Sequence, residues 1–272
     1  MLHTNTQANL TYPPPFKPTL EINHIDTWIR EWFDSNGPAS DAVIGISGGK
    51  DSTIAAALLA RALGPQRVIG ILMPNMVQDD IADAQRVVEL LKIQHMTVNV
   101  GPTLSALYAS IIDGAARANI KFGLDLNVPL SKSTMLNTPP RMRMATLYAI
   151  AQSTPCGGLV CNTCNRSEDF IGYSTKYGDA AVDFAPLANY TVTEVLQMGD
   201  ALGLPRDLVH KAPSDGLCGK TDEENLGFTY VVLDTYIMTG VCDDERIRAS
   251  IDIMHRKNLH KLKPIPSCPK LS

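Results

Sequence analysis

Residues 45 to 52 read Gly-Ile-Ser-Gly-Gly-Lys-Asp-Ser, directly after the apolar run Ala42-Val43-Ile44 and at the start of a helical pattern over 53–63. A strand that feeds a glycine-rich turn into a helix N-terminus gathers unpaired backbone N–H groups at the positive end of the helix dipole. That is a site for an anion, and phosphate is the guest such a turn suits best. The turn is not a Walker A loop, which needs Ser or Thr directly after its Gly-Lys pair, whereas Asp51 holds that place here. An aspartate beside phosphates is repulsive unless a hard cation lies between them, so Asp51 implies Mg²⁺ with oxygen ligands. A bare structural turn is the competing explanation, but three small residues with Lys, Asp and Ser are costly chemistry for a turn alone.

The elements that must carry this loop alternate. A proline-rich stretch, Pro13-Pro14-Pro15 and Pro18, predicts an extended arm over residues 1–20, suited to lying on a partner subunit. Ile25, Trp28, Ile29 and Trp32 fall at helical spacing, and that helix is expected to end near Asn36-Gly37-Pro38. Strands are predicted at 42–46, 68–73, 96–100 and 158–161, and helices at 53–63, 81–91, 104–118, 141–152, 192–203 and 222–239. Residues 129–140, with Pro139-Pro140, 162–186 and 205–221 are expected to be loops. Buried apolar strands separated by amphipathic helices predict an α/β fold, a doubly wound parallel sheet with helices on both faces, formed by a single domain over 21–272. Ligands of such sheets sit beyond the carboxyl ends of the strands, where the 45–52 loop lies.

Composition limits the partners. With 272 residues, 44% hydrophobic, the chain can bury one large core, and no apolar run approaches a membrane span. A net charge of −4 and a pI near 5.8 argue against a broad nucleic-acid footprint, so any basic site must be local. The first twenty residues have neither a basic start nor an apolar signal core, and a cytoplasmic location is expected. The six cysteines include one lone pair at C-x-x-C spacing, Cys161 and Cys164. Without a second such pair or a close His pair, incidental thiols are favoured over zinc or redox use.

The Ser-Gly-Gly-x-Asp-Ser core of the first loop resembles the pyrophosphatase loop of the N-type ATP pyrophosphatases, with the adenine nucleotide alpha-hydrolase-like fold. Later motifs narrow the resemblance: Gln78-Asp79-Asp80-Ile81-Ala82-Asp83-Ala84, Arg141-Met142-Arg143-Met144, Asn162-Thr163-Cys164-Asn165-Arg166-Ser167-Glu168, Thr175-Lys176-Tyr177-Gly178-Asp179, Asp222-Glu223 with Leu226-Gly227, and His260-Lys261. They stand in the order found in NAD synthetases, from about residue 20 onward. The chain resembles the short, ammonia-using form, since nothing before Ser47 is long enough for the nitrilase-type amidase domain of the glutamine-using form. The resemblance implies that the nicotinate carboxylate of deamido-NAD is adenylated by ATP with release of pyrophosphate, and that ammonia then displaces AMP to give NAD. It also implies a homodimer with substrate sites at the interface, for which the Trp28 and Trp32 helix and the proline-rich arm are suitable material.

Carried over position by position, the resemblance puts Gly45, Ile46, Ser47, Gly48, Gly49, Lys50, Asp51 and Ser52 around ATP, with Thr163 and Ser214. Asp51 and Glu168 would hold Mg²⁺, and Arg141, Lys176, Asp183, His260 and Lys261 would contact deamido-NAD. Asp51 and Lys176 are the residues expected to take part in catalysis. Arg141 and Arg143, two apart on a helix, point to different faces, and Arg141 is favoured for the substrate. Two departures stand out: Val192 occupies a place where the family has a lysine touching the ATP phosphates, and Cys164 replaces a usual Gly. Lys50, Lys211 or Lys220 are candidates to supply the missing charge. Other readings are a different ATP pyrophosphatase, tRNA-modifying or the synthetase domain of an amidotransferase, or a nucleotide sensor without turnover. A tRNA enzyme would carry basic appended domains that this acidic chain lacks.

Overall fold

The computed structural model describes residues 15–77, 81–118, 130–211 and 221–270. Four parallel strands, β1 Asp41–Gly45, β2 Val68–Leu72, β3 Gln94–Thr97 and β4 Gly158–Val160, lie in the order β3-β2-β1-β4. Side chains of a strand alternate between the two faces of the sheet, and β1 uses both. Ala42 and Ile44 join one apolar cluster with helices α1 Pro18–Asn36, α2 Lys50–Leu63, α3 Ile81–Leu91 and α7 Val192–Ala201. Val43 joins another with Leu104 of α4 Gly101–Arg117 and Ala151 of α5 Lys132–Ala151. Helices therefore cover both faces, as the uninterrupted apolar strands predict. β3 is the exception: all four of its residues are exposed at the sheet edge, and it starts two residues earlier than its apolar run indicates.

Several local expectations are corrected. Residues 132–140 are helical, because Ser131 caps α5 by accepting from the Thr134 amide, and Pro139 and Pro140 lie inside it. The carbonyls their missing N–H groups would have met belong to Met135 and Leu136, both exposed residues of α5. The 162–186 loop contains α6 Arg166–Ile171, and 205–221 contains α8 Arg206–Val209. The expected helix over 222–239 is two, α9 Asp222–Leu226 and α10 Tyr230–Thr239, because Gly227 takes a left-handed φ of 80° and ends the first. Helix α1 begins at Pro18, so the last residues of the expected arm are helical, while residues 1–14 lie outside the described ones.

The charged C-terminal region is also helical, as α11 Glu245–Leu262. One face of it completes the C-terminus of α6. His255 Nδ1 donates to the Phe170 carbonyl at 2.7 Å, Asn258 to Ile171 at 3.0 Å, and Lys261 to Gly172 and Ser174 at 2.6 and 2.7 Å. Those carbonyls have no helical partner of their own, which is why a charged helix can stay docked with only Ile251 fully buried. A third apolar cluster, Ile171, Val192, Leu226, Phe228, Tyr230, Leu233 and Ile251, binds α6, α7, α9, α10 and α11 together. Among the described residues no helix is long and apolar enough to cross a membrane.

Candidate active site

The 45–52 loop leaves the carboxyl end of β1 and enters α2, whose first residue is Lys50. Its hydroxyls shape it from within: Ser47 Oγ accepts from the Gly49 amide at 3.2 Å and lies 3.1 Å from Ser52 Oγ, which donates to the Gly49 carbonyl. Gly48 has a φ of 81°, and a Cβ there would lie 2.8 Å from both the Ala84 amide nitrogen and Asp83 Cβ. Only glycine lets the start of α3 approach the loop this closely.

Three further segments meet this turn. Asp51 Oδ2 accepts from the Lys50 ammonium at 2.9 Å, and Asp51 Oδ1 accepts from the Asn165 side-chain amide at 3.0 Å. Glu168 lies one helical turn on, in a capping box: Asn165 accepts from the Ser167 and Glu168 amides, and Glu168 Oε2 accepts from the Asn165 amide at 3.2 Å. Desolvation and the nearby Asp51 push the Glu168 carboxyl up to about 8, against the pull of Lys50. Lys50 is only 5% exposed, with its ammonium 5.5 Å from the centre of the Tyr230 ring. Burial works against that charge, yet Asp51, Glu168 and Asp222 outweigh it and raise its pKa.

Two carboxylates from separate segments, with Asp51 among the causes that raise Glu168 and a lysine partly neutralising them, form the oxygen donor set that a hard divalent cation fits. Among the described residues no three His, Cys, Asp or Glu side chains form a metal cage. A two-carboxylate site leaves coordination positions for water and phosphate oxygens, the usual arrangement for Mg²⁺ on a nucleotide.

On the expected substrate side, three of the five predicted residues converge on the turn after α6. Arg141 Nε donates to the Lys176 carbonyl at 3.2 Å, the Lys176 ammonium lies 5.1 Å from the Tyr177 ring centre, and Lys261 holds the carbonyls of Gly172 and Ser174. Thr175 adds a bond to Asn137 of α5 at 2.9 Å and takes Asp179 as partner of its amide at 3.0 Å. Asp183 is anchored beside β4, accepting from Tyr148 at 3.1 Å and from the Val160 amide at 2.7 Å. His260 is exposed, its ring against the Lys257 carbonyl. Arg143, by contrast, turns inward to the Met73 carbonyl at 3.1 Å. Ser214 and Lys220 lie outside the described residues.

The NAD synthase family model matches residues 21–265. The chain belongs to that family. It is 38% identical over 246 residues to the NH(3)-dependent NAD(+) synthetase of Carboxydothermus hydrogenoformans, covering 90% of this chain and 94% of that one. It is 41% identical to the Pyrococcus horikoshii enzyme of the same name, over 78% of this chain and 75% of that one. A solved structure of an NMN synthetase from Francisella tularensis superimposes with a TM-score of 0.80 at 31% identity, covering 94% of this chain and all of the other.

Within the family frame, the two departures take on a physical form. Val192 opens α7 and is 4% exposed in the third apolar cluster, which also contains the Tyr230 whose ring lies near the Lys50 ammonium. Lys211 pairs with Asp83 at 2.5 Å, beside Gly48, and among the described residues Lys50 is the candidate that bonds a loop carboxylate directly. Cys164 is buried and outside the left-handed region, so its side chain forms part of the wall without backbone strain. Burial raises the pKa of both Cys161 and Cys164, and a thiol so desolvated is a poor nucleophile.

Asn165, Asp222 and Tyr230 are the site's residues that residue-type reasoning passed over. Asn165 had a local signal, since Asn followed three residues later by Glu is a capping-box signature. Tyr230 had none: it is an aromatic on an apolar helix, and only the tertiary fold sets it under Lys50.

Proposed function

We propose that this chain amidates the nicotinate carboxylate of deamido-NAD with ammonia, using ATP. The carboxylate oxygen attacks the α-phosphorus, the bond to the β-phosphate breaks, and pyrophosphate leaves. Ammonia then attacks the acyl carbon, AMP departs with its oxygen, and the nitrogen loses a proton to give the amide. The observation that carries this is the joining of Asp51, Lys50 and Glu168 at the mouth of a serine-lined, glycine-rich turn beyond β1. In this role the turn's amides and Ser47 and Ser52 meet the phosphates, Thr163 and Ser214 the rest of ATP, and Lys50 the developing pyrophosphate charge. Asp51 and Glu168 would hold Mg²⁺, which neutralises the triphosphate and polarises it toward attack. Arg141, Lys176, Asp183, His260 and Lys261 form the deamido-NAD side, and Lys176 meets charge at the reacting end of the substrate.

A second substrate is favoured by one comparison. The Francisella tularensis relative is named for NMN synthesis, the same amidation on the mononucleotide. Pyrophosphate release with ATP, Mg²⁺ and ammonia, measured on deamido-NAD and on nicotinate mononucleotide in parallel, decides between them by kcat/KM. Release on neither substrate would leave a nucleotide-binding protein without this activity. We also propose a cytoplasmic homodimer. Trp28 and Trp32 of α1 are half-buried, Trp32 lying 4.7 Å from Phe184, and Ile112 of α4 and Met135 and Leu136 of α5 are exposed, so both helical faces are material for its surface. Sedimentation equilibrium reads the mass directly.

A further inference from the structure

Asn165 is completely buried, yet it is neither a charged group nor an expected ligand. Its Oδ1 accepts from two backbone amides, Ser167 at 3.0 Å and Glu168 at 3.1 Å. Two donors on one atom fix the orientation of the amide: that atom is the oxygen, and the opposite face of the group is the NH₂. The NH₂ faces Asp51 Oδ1 at 3.0 Å, across 114 residues of sequence. The cap itself is held rigidly, because Ser167 donates to Asp234 of α10 at 2.5 Å and accepts from the Val192 amide at 3.1 Å.

We infer that Asn165 is a positioning residue for the metal-nucleotide site: one buried amide fixes Glu168 through the helix cap and Asp51 through its NH₂, and so sets the two carboxylates against each other. This rests on the Mg²⁺ role proposed for Asp51 and Glu168. The chemistry demands an amide. Ser, Thr and Asp cap a helix as well as Asn does, but Asp offers no donor to Asp51 and Ser is too short to reach it. Asp51 Oδ1 is then the oxygen retained by Asn165, and Oδ2, shared with Lys50, is the one that a cation can take from the lysine.

The test uses the full chain with Mn²⁺ as a paramagnetic probe and a non-hydrolysable α,β-methylene analogue of ATP. Asn165→Ser keeps a cap and removes the bond to Asp51, while Asn165→Ala removes both. Asn165→Ser is expected to melt within about 3 °C of wild type, consistent with one cap exchanged for another. Its Mn²⁺ affinity should fall at least tenfold, and turnover at limiting Mg²⁺ should fall with it and recover at high Mg²⁺. Asn165→Ala should show the same metal defect with a lower melting point. Mn²⁺ affinity of Asn165→Ser within threefold of wild type would overturn the inference and leave Asn165 as a helix cap. If wild type itself holds no Mn²⁺ beside the analogue, the metal role of Asp51 and Glu168 fails and the inference with it.

Discussion

Replacing Val192 by lysine separates two accounts of how the pyrophosphate charge is met. From sequence alone the lysine should help, restoring a phosphate contact worth roughly 1.5–3 kcal/mol. The structure reverses the sign. Val192 is 4% exposed in the apolar cluster that includes Ile171, Leu226, Phe228, Tyr230 and Leu233, at the first residue of α7, and its amide already donates to Ser167 Oγ. A lysine there would carry a second ammonium into an apolar cluster, with no carboxylate assigned to it. Leaving a buried charge uncompensated costs about 3–5 kcal/mol. At about 2–4 °C per kcal/mol for a chain near this size, Val192→Lys should melt roughly 6–20 °C below wild type. Its ATP Michaelis constant should be unimproved. The companion change, Lys50→Gln, should lower kcat/KM for ATP by roughly ten- to a hundredfold, the same 1.5–3 kcal/mol lost from the transition state. Thermal melts and steady-state kinetics on the two variants are sufficient. A Val192→Lys protein that melts within about 2 °C of wild type and uses ATP tenfold better would show that the side chain threads out to the phosphates, and the assignment of Lys50 would fall.

Asp234 accepts from Ser167 Oγ at 2.5 Å and from the amide and hydroxyl of Thr193 at 2.8 and 2.6 Å, so Asp234→Asn turns a donor toward donors. A loss of about 3 kcal/mol is expected, read as a urea midpoint shift, and an unchanged midpoint would mean the network is dispensable. The Glu168 carboxyl, lifted to about 8 from an ordinary 4.5, keeps a proton in the fold that the unfolded chain has lost. Its contribution to stability is therefore full below the ordinary value and is lost as pH rises to about 8, so metal-free protein should weaken across that interval and Glu168→Gln should flatten the trend. Identical slopes in the two proteins would contradict this. Lys261→Met should loosen the turn it holds through Gly172 and Ser174 and lower both the melting point and the affinity for deamido-NAD, whereas His260→Ala, at an exposed position, should leave the melting point alone. Equal melting points for Lys261→Met and wild type would remove the structural half of the Lys261 role.

What the sequence disclosed and what it withheld follow from the range of the interactions involved. The glycine-rich loop was legible because its chemistry is local: a turn that needs a left-handed Gly48, a helix opening at Lys50 and an aspartate in the first turn all lie within eight residues. The sheet was legible because its strands are buried on both faces and read as apolar runs, and it was least so at β3, whose exposed residues give no such run in register. Helix α11 was hidden for the opposite reason. It is held by His255, Asn258 and Lys261 on the carbonyls of another helix, so its docking face is polar and reads as a charged tail. The helical prolines of α5 misled because the carbonyls they leave unmet belong to exposed residues, Met135 and Leu136, where the lost bonds cost least.

Val192 shows the limit of carrying roles over one position at a time. A charge at a phosphate site is a property of a point in space, and any side chain whose end reaches that point can supply it. Lys50 approaches from the start of α2 with its ammonium 5.5 Å from the Tyr230 ring centre, and Val192, at the start of α7, belongs to the apolar cluster that contains that tyrosine. Position by position, one looks like a loop residue and the other like a loss. Because Tyr230 belongs to both neighbourhoods, the two positions read as a single exchange, with the cation on α2 and an apolar residue in the buried cluster. Lys50→Gln combined with Val192→Lys tests that exchange. If the two positions serve one charge, the double variant should regain part of the ATP use lost in Lys50→Gln, with a positive coupling between the two changes. Strictly additive losses would mean that Val192 is core and nothing more, and that Lys50 acts alone.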